Sequence, residues 1–411
     1  MASATALIGR EATAAAGNGW SLPTDTLVEI LLRLPPTKRW RLRLVCRHWR
    51  DVIRDRSPAP APPMALAFVV SSAEGAAMSA SAFAVDDPAG GWCRERTRNG
   101  VLCLCDNTTP GGAVSLANPA TGESLTLPPL PDSGHWMRCG TTIRSWHEAY
   151  AFAHDPDTWR YTVVHVPIFD RNGVFAALHV FTVPWEEKGS SSPPPASWRE
   201  VPVAGAAASC RLDAGFVTID GTMHWVTVGA LTEGTERVVA FDLAAERVTS
   251  MMALPAPEAG RGSRWCLTEV RGRLGAVDYS AERCWGTPEM THVWVLDGGG
   301  RDDRRRQVWS RRYSVRVYGV QQWLAAPQFA FGEHVLTTKA RCGRGVSASV
   351  FAHRVPPSGR LRISEKSQGT RVSGITSGDR RDDSVRIHGV FGYVENKEPL
   401  ERFTTIHKLR N

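Results

Sequence analysis

His147-Glu148 opens like a zinc-hydrolase helix, in which a second histidine four residues after the first would share its face and complete a metal pair. Ala151 stands at that position, so the pair is broken. His135, Cys139, His147 and His154 fall within twenty residues and are of ligand type. Their spacing gives no common geometry, and they read as loop and strand residues. Cys103 and Cys105 share one side of a strand with Val101, which makes an apolar stripe. Gly298-Gly-Gly300, followed by Arg301-Asp-Asp-Arg-Arg-Arg306, has the composition of a phosphate loop. No helix pattern follows to supply the N–H cradle, so it reads as a solvated loop. No G-x-S-x-G and no G-x-x-x-x-G-K-[ST] occurs in the 411 residues. The expectation is a chain with no catalytic residues, no metal site and no cofactor.

Composition supports a folded, non-membrane chain. Apolar residues make up 42% and charged residues 22%, an ordinary globular proportion. No apolar run is long enough to span a bilayer, and Met1 to Gly19 has no signal-peptide core. Nine cysteines without C-x-x-C fit a reducing compartment. The expected location is therefore cytoplasmic, nuclear or both. Arg301 to Arg306 with Arg311-Arg312 is a second-rank reading as a nuclear signal. The net charge of +8 is concentrated: between Trp20 and Ser57, nine basic residues face four acidic ones.

That same segment has helical period. Ser21-Leu22-Pro23 supplies a start, and Asp25 sits near the positive end of the helix dipole. Pro35-Pro36 supplies a stop. On a 100° wheel, Leu27, Val28, Ile30, Leu31, Leu32 and Leu34 cover an arc of roughly 200°, about twice the stripe of a surface helix. Thr37 can cap a second short helix through Leu42, and Leu44, Val45, Trp49, Val52 and Ile53 line a third. A head this small has little core in which to hide so wide an arc, and the surplus points to a partner surface. A plain helical hairpin packed on the following domain is the bland alternative. A basic nucleic-acid helix is a further one, poorly served by the few base-reading side chains nearby.

The residues Leu22-Pro-x-Asp-x-Leu-x-x-Glu-Ile-Leu-x-Arg-Leu-Pro, then Arg-Leu-Val-Cys-Arg-x-Trp at 43 to 49, resemble the F-box. The resemblance implies a three-helix module that docks on the Skp-type adaptor of a cullin–RING ubiquitin ligase. Carried onto this chain, the docking positions are Leu22, Pro23, Leu27, Ile30, Leu31, Leu34, Pro35, Leu42, Val45, Cys46 and Trp49. Arg39 departs from the family pattern, which has an aliphatic residue there before a second apolar one, here Trp40.

Beyond Ser57-Pro-Ala-Pro-Ala-Pro-Pro63, a semi-rigid spacer, the period changes to that of short strands. Runs at 67–70, 101–105, 161–166, 178–183, 216–219, 223–228, 238–243, 292–296 and 328–338 qualify. Asp220-Gly221 marks a hairpin. Asn118 to Glu123, Asp155 to Arg160 and Asp242 to Arg247 mark equivalent turns closed by an Asx side chain. Gly189 to Pro195 reads as a flexible insertion. Strand groups restart near Phe216, Trp265 and Gln328, a spacing that suggests four-stranded propeller blades, about six in all. Twelve of the 15 tryptophans lie here, suited to sheet-on-sheet contacts. A large β-sandwich is the runner-up. Asn118-Pro-Ala-Thr-Gly-Glu, Tyr150-x-Phe-x-x-Asp-Pro, Gly221-x-x-x-Trp225, Phe241-Asp-Leu and Trp294-Val-Leu-Asp look like the F-box-associated domains of plants, especially grasses. That resemblance implies a substrate-recruiting domain.

The expected organisation is α+β and multidomain. A disordered leader at 1–19 precedes a three-helix head at 20–56, a linker at 57–65 and an all-β, propeller-like body at 66–411. The expected function is the substrate-recognition adaptor of an SCF-type E3 ubiquitin ligase, itself non-catalytic. Its expected partners are a Skp-type adaptor, through it a cullin–RING ligase, and a protein target, with no membrane and no nucleic acid. The alternatives are a β-propeller scaffold or nucleic-acid binder that does not engage the ligase, and a propeller hydrolase, which clustered acids or histidines at inner strand ends would favour.

Overall fold

The computed structural model describes residues 23–33, 42, 48–49, 52, 64–71, 78–84, 100–106, 113–130, 150–154, 160–167, 173–183, 197–229, 236–256, 263–270, 272–280, 289–297, 307–318, 322–324, 330–331, 334–341, 347–364, 370–376, 385–393 and 400. The leader, the Pro-rich spacer, the insertion at 189–195, the Asp155 turn and the Gly298 to Arg306 run lie outside these residues. So do Leu22, Leu34, Pro35, Val45 and Cys46. The chain divides into two compact units, Met1–Pro60 and Ala61–Asn411.

In the first unit, helix α1 spans Thr24–Arg33. It starts where Pro23 ends its own N–H requirement: the Leu27 N–H donates to the Pro23 carbonyl at 3.0 Å. Asp25 lies in the first turn, where the dipole favours a carboxylate. Helical backbone recurs at Leu42, His48, Trp49 and Val52. Among the described residues α1 is the one α-helix seen from end to end.

The second unit contains twenty-four described strands in six sheets. The first sheet begins with β1 (Met64–Ser71) and β2 (Met78–Ala84). The second is β3 (Leu102–Asp106), β4 (Ala113–Asn118) and β5 (Glu123–Thr126). The third is β6 (Tyr150–His154), β7 (Tyr161–His165), β8 (Ala177–Thr182) and β9 (Arg199–Pro202). The fourth is β10 (Val217–Ile219), β11 (Thr222–Val226), β12 (Arg237–Asp242) and β13 (Arg247–Ala253). The fifth is β14 (Ser263–Val270), β15 (Arg273–Ser280), β16 (Glu289–Asp297) and β17 (Val308–Val317). The sixth begins with β18 (Gln322–Leu324), β19 (Ala330–Phe331), β20 (His334–Arg341) and β21 (Ser347–Arg354). The chain then makes an excursion. Strand β22 (Arg360–Ile363) joins the fifth sheet, parallel to β17, before β23 (Thr370–Thr376) returns to β21. Finally β24 (Val385–Tyr393) pairs with β1, so the last strand completes the first sheet.

The turns explain the meander. Asp220 and Gly221 both have positive φ (47° and 74°), as a two-residue hairpin with the twist of its strands requires. Asn118 Oδ1 accepts from the Ala120 N–H at 3.0 Å, and Asp242 Oδ1 accepts from the Ala244 and Ala245 N–H groups at 2.9 Å. These are the Asx closures read from the sequence.

Successive sheets pack face to face. Val114, Leu116 and Leu125 of the second meet Phe152, Tyr161, Val163 and Phe181 of the third, with Cys103 alongside. Val164, Leu178 and Val180 from the other face of the third meet Met223, Trp225, Val239 and Phe241 of the fourth. Val226 and Val238 then meet Trp265, Leu267 and Ala276 of the fifth. Val315, Val317 and Ile363 meet Val335 of the sixth. Inner strands are thus apolar on both faces, which is why they read as unbroken apolar runs and not as alternation. Leu400, beyond β24, is buried against the second sheet and donates its N–H to Glu123 Oε2. Tryptophans tie neighbouring sheets by their N–H groups: Trp198 Nε1 to the Pro128 carbonyl, and Trp309 Nε1 to the Ala253 carbonyl, both at 2.9 Å.

Candidate functional site

The head concentrates the residues expected to dock a partner. Leu27 and Leu31 sit one turn apart on α1 and are fully buried at 0% and 2% exposure. Val52 is buried against them, and Val28, Leu42 and Trp49 pack on the same cluster. Ile30, about 60° round the helix from Leu27, is 40% exposed. Pro23 is exposed too. The head therefore covers the Leu27–Leu31 side of its wide apolar arc with its own side chains and leaves Ile30 facing outward. Leu27, Leu31, Leu42 and Trp49 meet in one cluster, and Ile30 lies outside it. Leu22, Leu34, Pro35, Val45 and Cys46 fall outside the described residues.

The body brings together polar residues that no sequence spacing reveals. Across the fifth sheet, Trp265, Asp278, His292 and Ser314 stand in one register row on β14, β15, β16 and β17. His292 Nδ1 lies 3.1 Å from Ser314 Oγ. The residue types are those of an acyl-transfer triad, but Asp278 is 0% and His292 5% exposed. The His292–Ser314 contact ties β16 to β17 within the sheet. Across the third sheet, Tyr150, His165, His179 and Glu200 form an analogous row. The Nδ1 atoms of His165 and His179 are 3.4 Å apart. Burial, and then the neighbouring His179, push the His165 pKa down to about 3, so the ring is neutral in use. Burial lowers His224 to about 4, against hydrogen bonds with the Val217 and Thr222 backbone. Burial and His334 lower His353 to about 4, where Thr337 Oγ1 lies 2.9 Å from its Nε2. Burial raises the Cys266 thiol to about 12 and lifts Cys210 above its ordinary value, which makes both unreactive.

Among the described residues no group of three or more His, Cys, Asp or Glu side chains is arranged to hold a metal. Of the four-residue cluster near His147, only His154 is described. No helix among the described residues is long and apolar enough to cross a membrane.

Comparison with known proteins adds two family matches. Residues 67–332 match the F-box associated beta propeller domain, and residues 20–59 match the F-box domain. An F-box protein of Arabidopsis thaliana is 25% identical over 353 residues, covering 75% of this chain and 76% of its own. A second F-box protein of the same plant is 23% identical over 388 residues, covering 91% and 90%. Among solved structures, the β-propeller domain of the Trilobed protease from Pyrococcus furiosus aligns over 63% of this chain and 69% of its own, at 9% identity and a TM-score of 0.31. A prolyl endopeptidase aligns over 89% and 54%, at 11% identity and a TM-score of 0.31. Similarity at that level carries no chemistry across.

Proposed function

Since the chain belongs to the F-box-associated β-propeller family and carries an F-box at its head, we propose that it is the substrate-recognition adaptor of an SCF-type cullin–RING ubiquitin ligase. The reading rests on one observation above others: both modules occur on a single polypeptide, in the order that joins a ligase-docking head to a recruiting body. The adaptor works by proximity and not by bond chemistry. One end grips a Skp-type partner and the other a protein target, and effective concentration brings the target's lysines to the ligase.

In this reading the head is a three-helix module, and the docking residues divide by role. Ile30, with Pro23 and the flanking Leu22, Leu34 and Pro35, meets the Skp-type partner. Leu27, Leu31, Leu42 and Trp49 hold the helices from beneath, while Val45 and Cys46 complete the partner surface from the third helix. Exposure of a β-branched aliphatic at Ile30 supports this division, since burying such a side chain is worth about 1.5–3 kcal/mol to whatever covers it. Ile30→Asp abolishes capture of a purified Skp-type adaptor by the full chain while the body's unfolding transition stays in place. Undiminished capture by this variant overturns the docking surface.

A further inference from the structure

Strand β22 is unusual in this fold. It leaves the sixth sheet's run of strands, lies parallel to β17, and ends the fifth sheet. Its backbone alternates. The Gly359 carbonyl accepts from Ser314 and the Ile363 carbonyl from Tyr318, so 359, 361 and 363 turn their peptide groups to β17. Arg360 and Arg362 then direct theirs off the sheet. Among the described residues only the Arg360 N–H has a partner there, Ser358 Oγ at 3.4 Å. Among the described residues β22 has no strand on that side.

The side chains alternate too. Ile363 is fully buried and Leu361 packs beside it against Val315, Val317 and Val335. Arg360 and Arg362 are exposed on the opposite face. They pair in register with Ser314 and Arg316. Arg316 rests on Met290 Sδ and the Tyr318 hydroxyl, at 2.8 and 3.4 Å. No carboxylate pairs with Arg360, Arg362 or Arg316 among the described residues. Gly359 makes the close approach possible. A Cβ there would stand 2.4 Å from the Arg312 carbonyl oxygen.

We propose that the outer edge of β22 is a docking site for an extended acidic segment of a protein target, which adds as a further strand with carboxylates at alternate positions against Arg360 and Arg362. Backbone pairing supplies the register, and the arginines select for charge. The half-buried Leu361 favours apolar residues at the intervening positions. Identifying the segment with the target rests on the adaptor reading above. Arginines on an edge strand also discourage self-pairing, and the test separates that role from docking.

The test titrates the full chain into a fluorescein-labelled peptide of alternating glutamate and valine, read by anisotropy at low ionic strength. Two further peptides of the same charge carry N-methyl groups, each on one alternate set of amides. Strand addition predicts that one methylated peptide loses binding and the other keeps it. It also predicts that the Arg360→Glu/Arg362→Glu double variant weakens the parent peptide at least about tenfold. Equal binding by both methylated peptides, or an unchanged affinity in the double variant, overturns the proposal and leaves the arginines as edge protection. The milder Arg360→Gln/Arg362→Gln pair repeats the measurement if the glutamates lower the melting temperature. Capture of a purified Skp-type adaptor by the same variants stays at the wild-type level. Loss of that capture in the wild-type chain would fault the adaptor reading alone.

Discussion

Trp309 Nε1 donates a 2.9 Å hydrogen bond to the carbonyl of Ala253, joining the fourth strand of one sheet to the end of the fourth strand of the sheet before it. Trp198 makes the same kind of bond to Pro128, two sheets earlier in the chain. Flat rings fill the gap between sheets, while their single polar atom satisfies a carbonyl at the rim. Trp309→Phe keeps most of the ring and removes the donor. The expected loss is about 0.5–1.5 kcal/mol, seen as a lower urea midpoint at unchanged slope. An unaltered midpoint would mean that water replaces the bond without cost.

Leu31 and Ile30 are adjacent in sequence and opposite in consequence. Leu31→Ala opens a cavity in the head's small core and lowers its stability by about 2–5 kcal/mol. Ile30→Ala leaves stability within about 0.5 kcal/mol and weakens adaptor capture. Calorimetry beside a binding isotherm distinguishes the two. If Ile30→Ala melts the head as much as Leu31→Ala does, the side chain is structural.

Acid weakens the body before its carboxylates titrate. His165 has a folded pKa of about 3, against an ordinary 6.5 in the unfolded chain. The unfolded state therefore binds the proton first. Stability is complete above about pH 6.5 and declines as the pH falls toward 3, by up to about 1.4 kcal/mol per pH unit for this one group. His224 and His353 add to the slope in the same sense, down to about pH 4. Urea midpoints between pH 7.5 and 5 should fall, and His165→Gln should flatten part of that fall. A level profile in the wild type would show that these rings are already protonated or exposed.

Gly359 has φ +67° and faces the Arg312 carbonyl at close range. Gly359→Ala forces β22 away from β17, since backbone must move where no side chain can yield. Amide exchange at Ser314 and Tyr318, which donate to this strand, should quicken while β15 and β16 of that sheet stay protected. Unchanged exchange at both would show that the strand accommodates the methyl group.

Local chemistry was legible in the sequence, and long-range pairing was not. Asp220-Gly221, Asn118 and Asp242 each announce a turn through their own backbone preferences, and the structure closes those turns as expected. The strand restarts near Phe216 and Trp265 fall at the opening of the fourth and fifth sheets, whereas the sixth opens at Gln322, ahead of the expected restart at Gln328. The row from Trp265 to Ser314 left no trace, because its members come from four strands whose register depends on a bulge between Val293 and Trp294. The departure of β22 from its own sheet was invisible for a similar reason: Arg-Leu-Arg-Ile alternates equally well in either sheet. Periodicity gives an apolar arc on α1 but cannot divide it between self-burial and display. That division came from Leu42, Trp49 and Val52 arriving from elsewhere in the head.

The pairing of β24 with β1 sets the order in which this molecule can mature. A ribosome releases two of the three strands of the first sheet hundreds of codons before the strand that finishes it. Until then Met64–Ser71 has a bare flank, an unpaired edge of the kind open to wrong pairing. A chain truncated anywhere upstream of Val385 lacks the third strand of that sheet, and one flank of Met64–Ser71 stays unpaired.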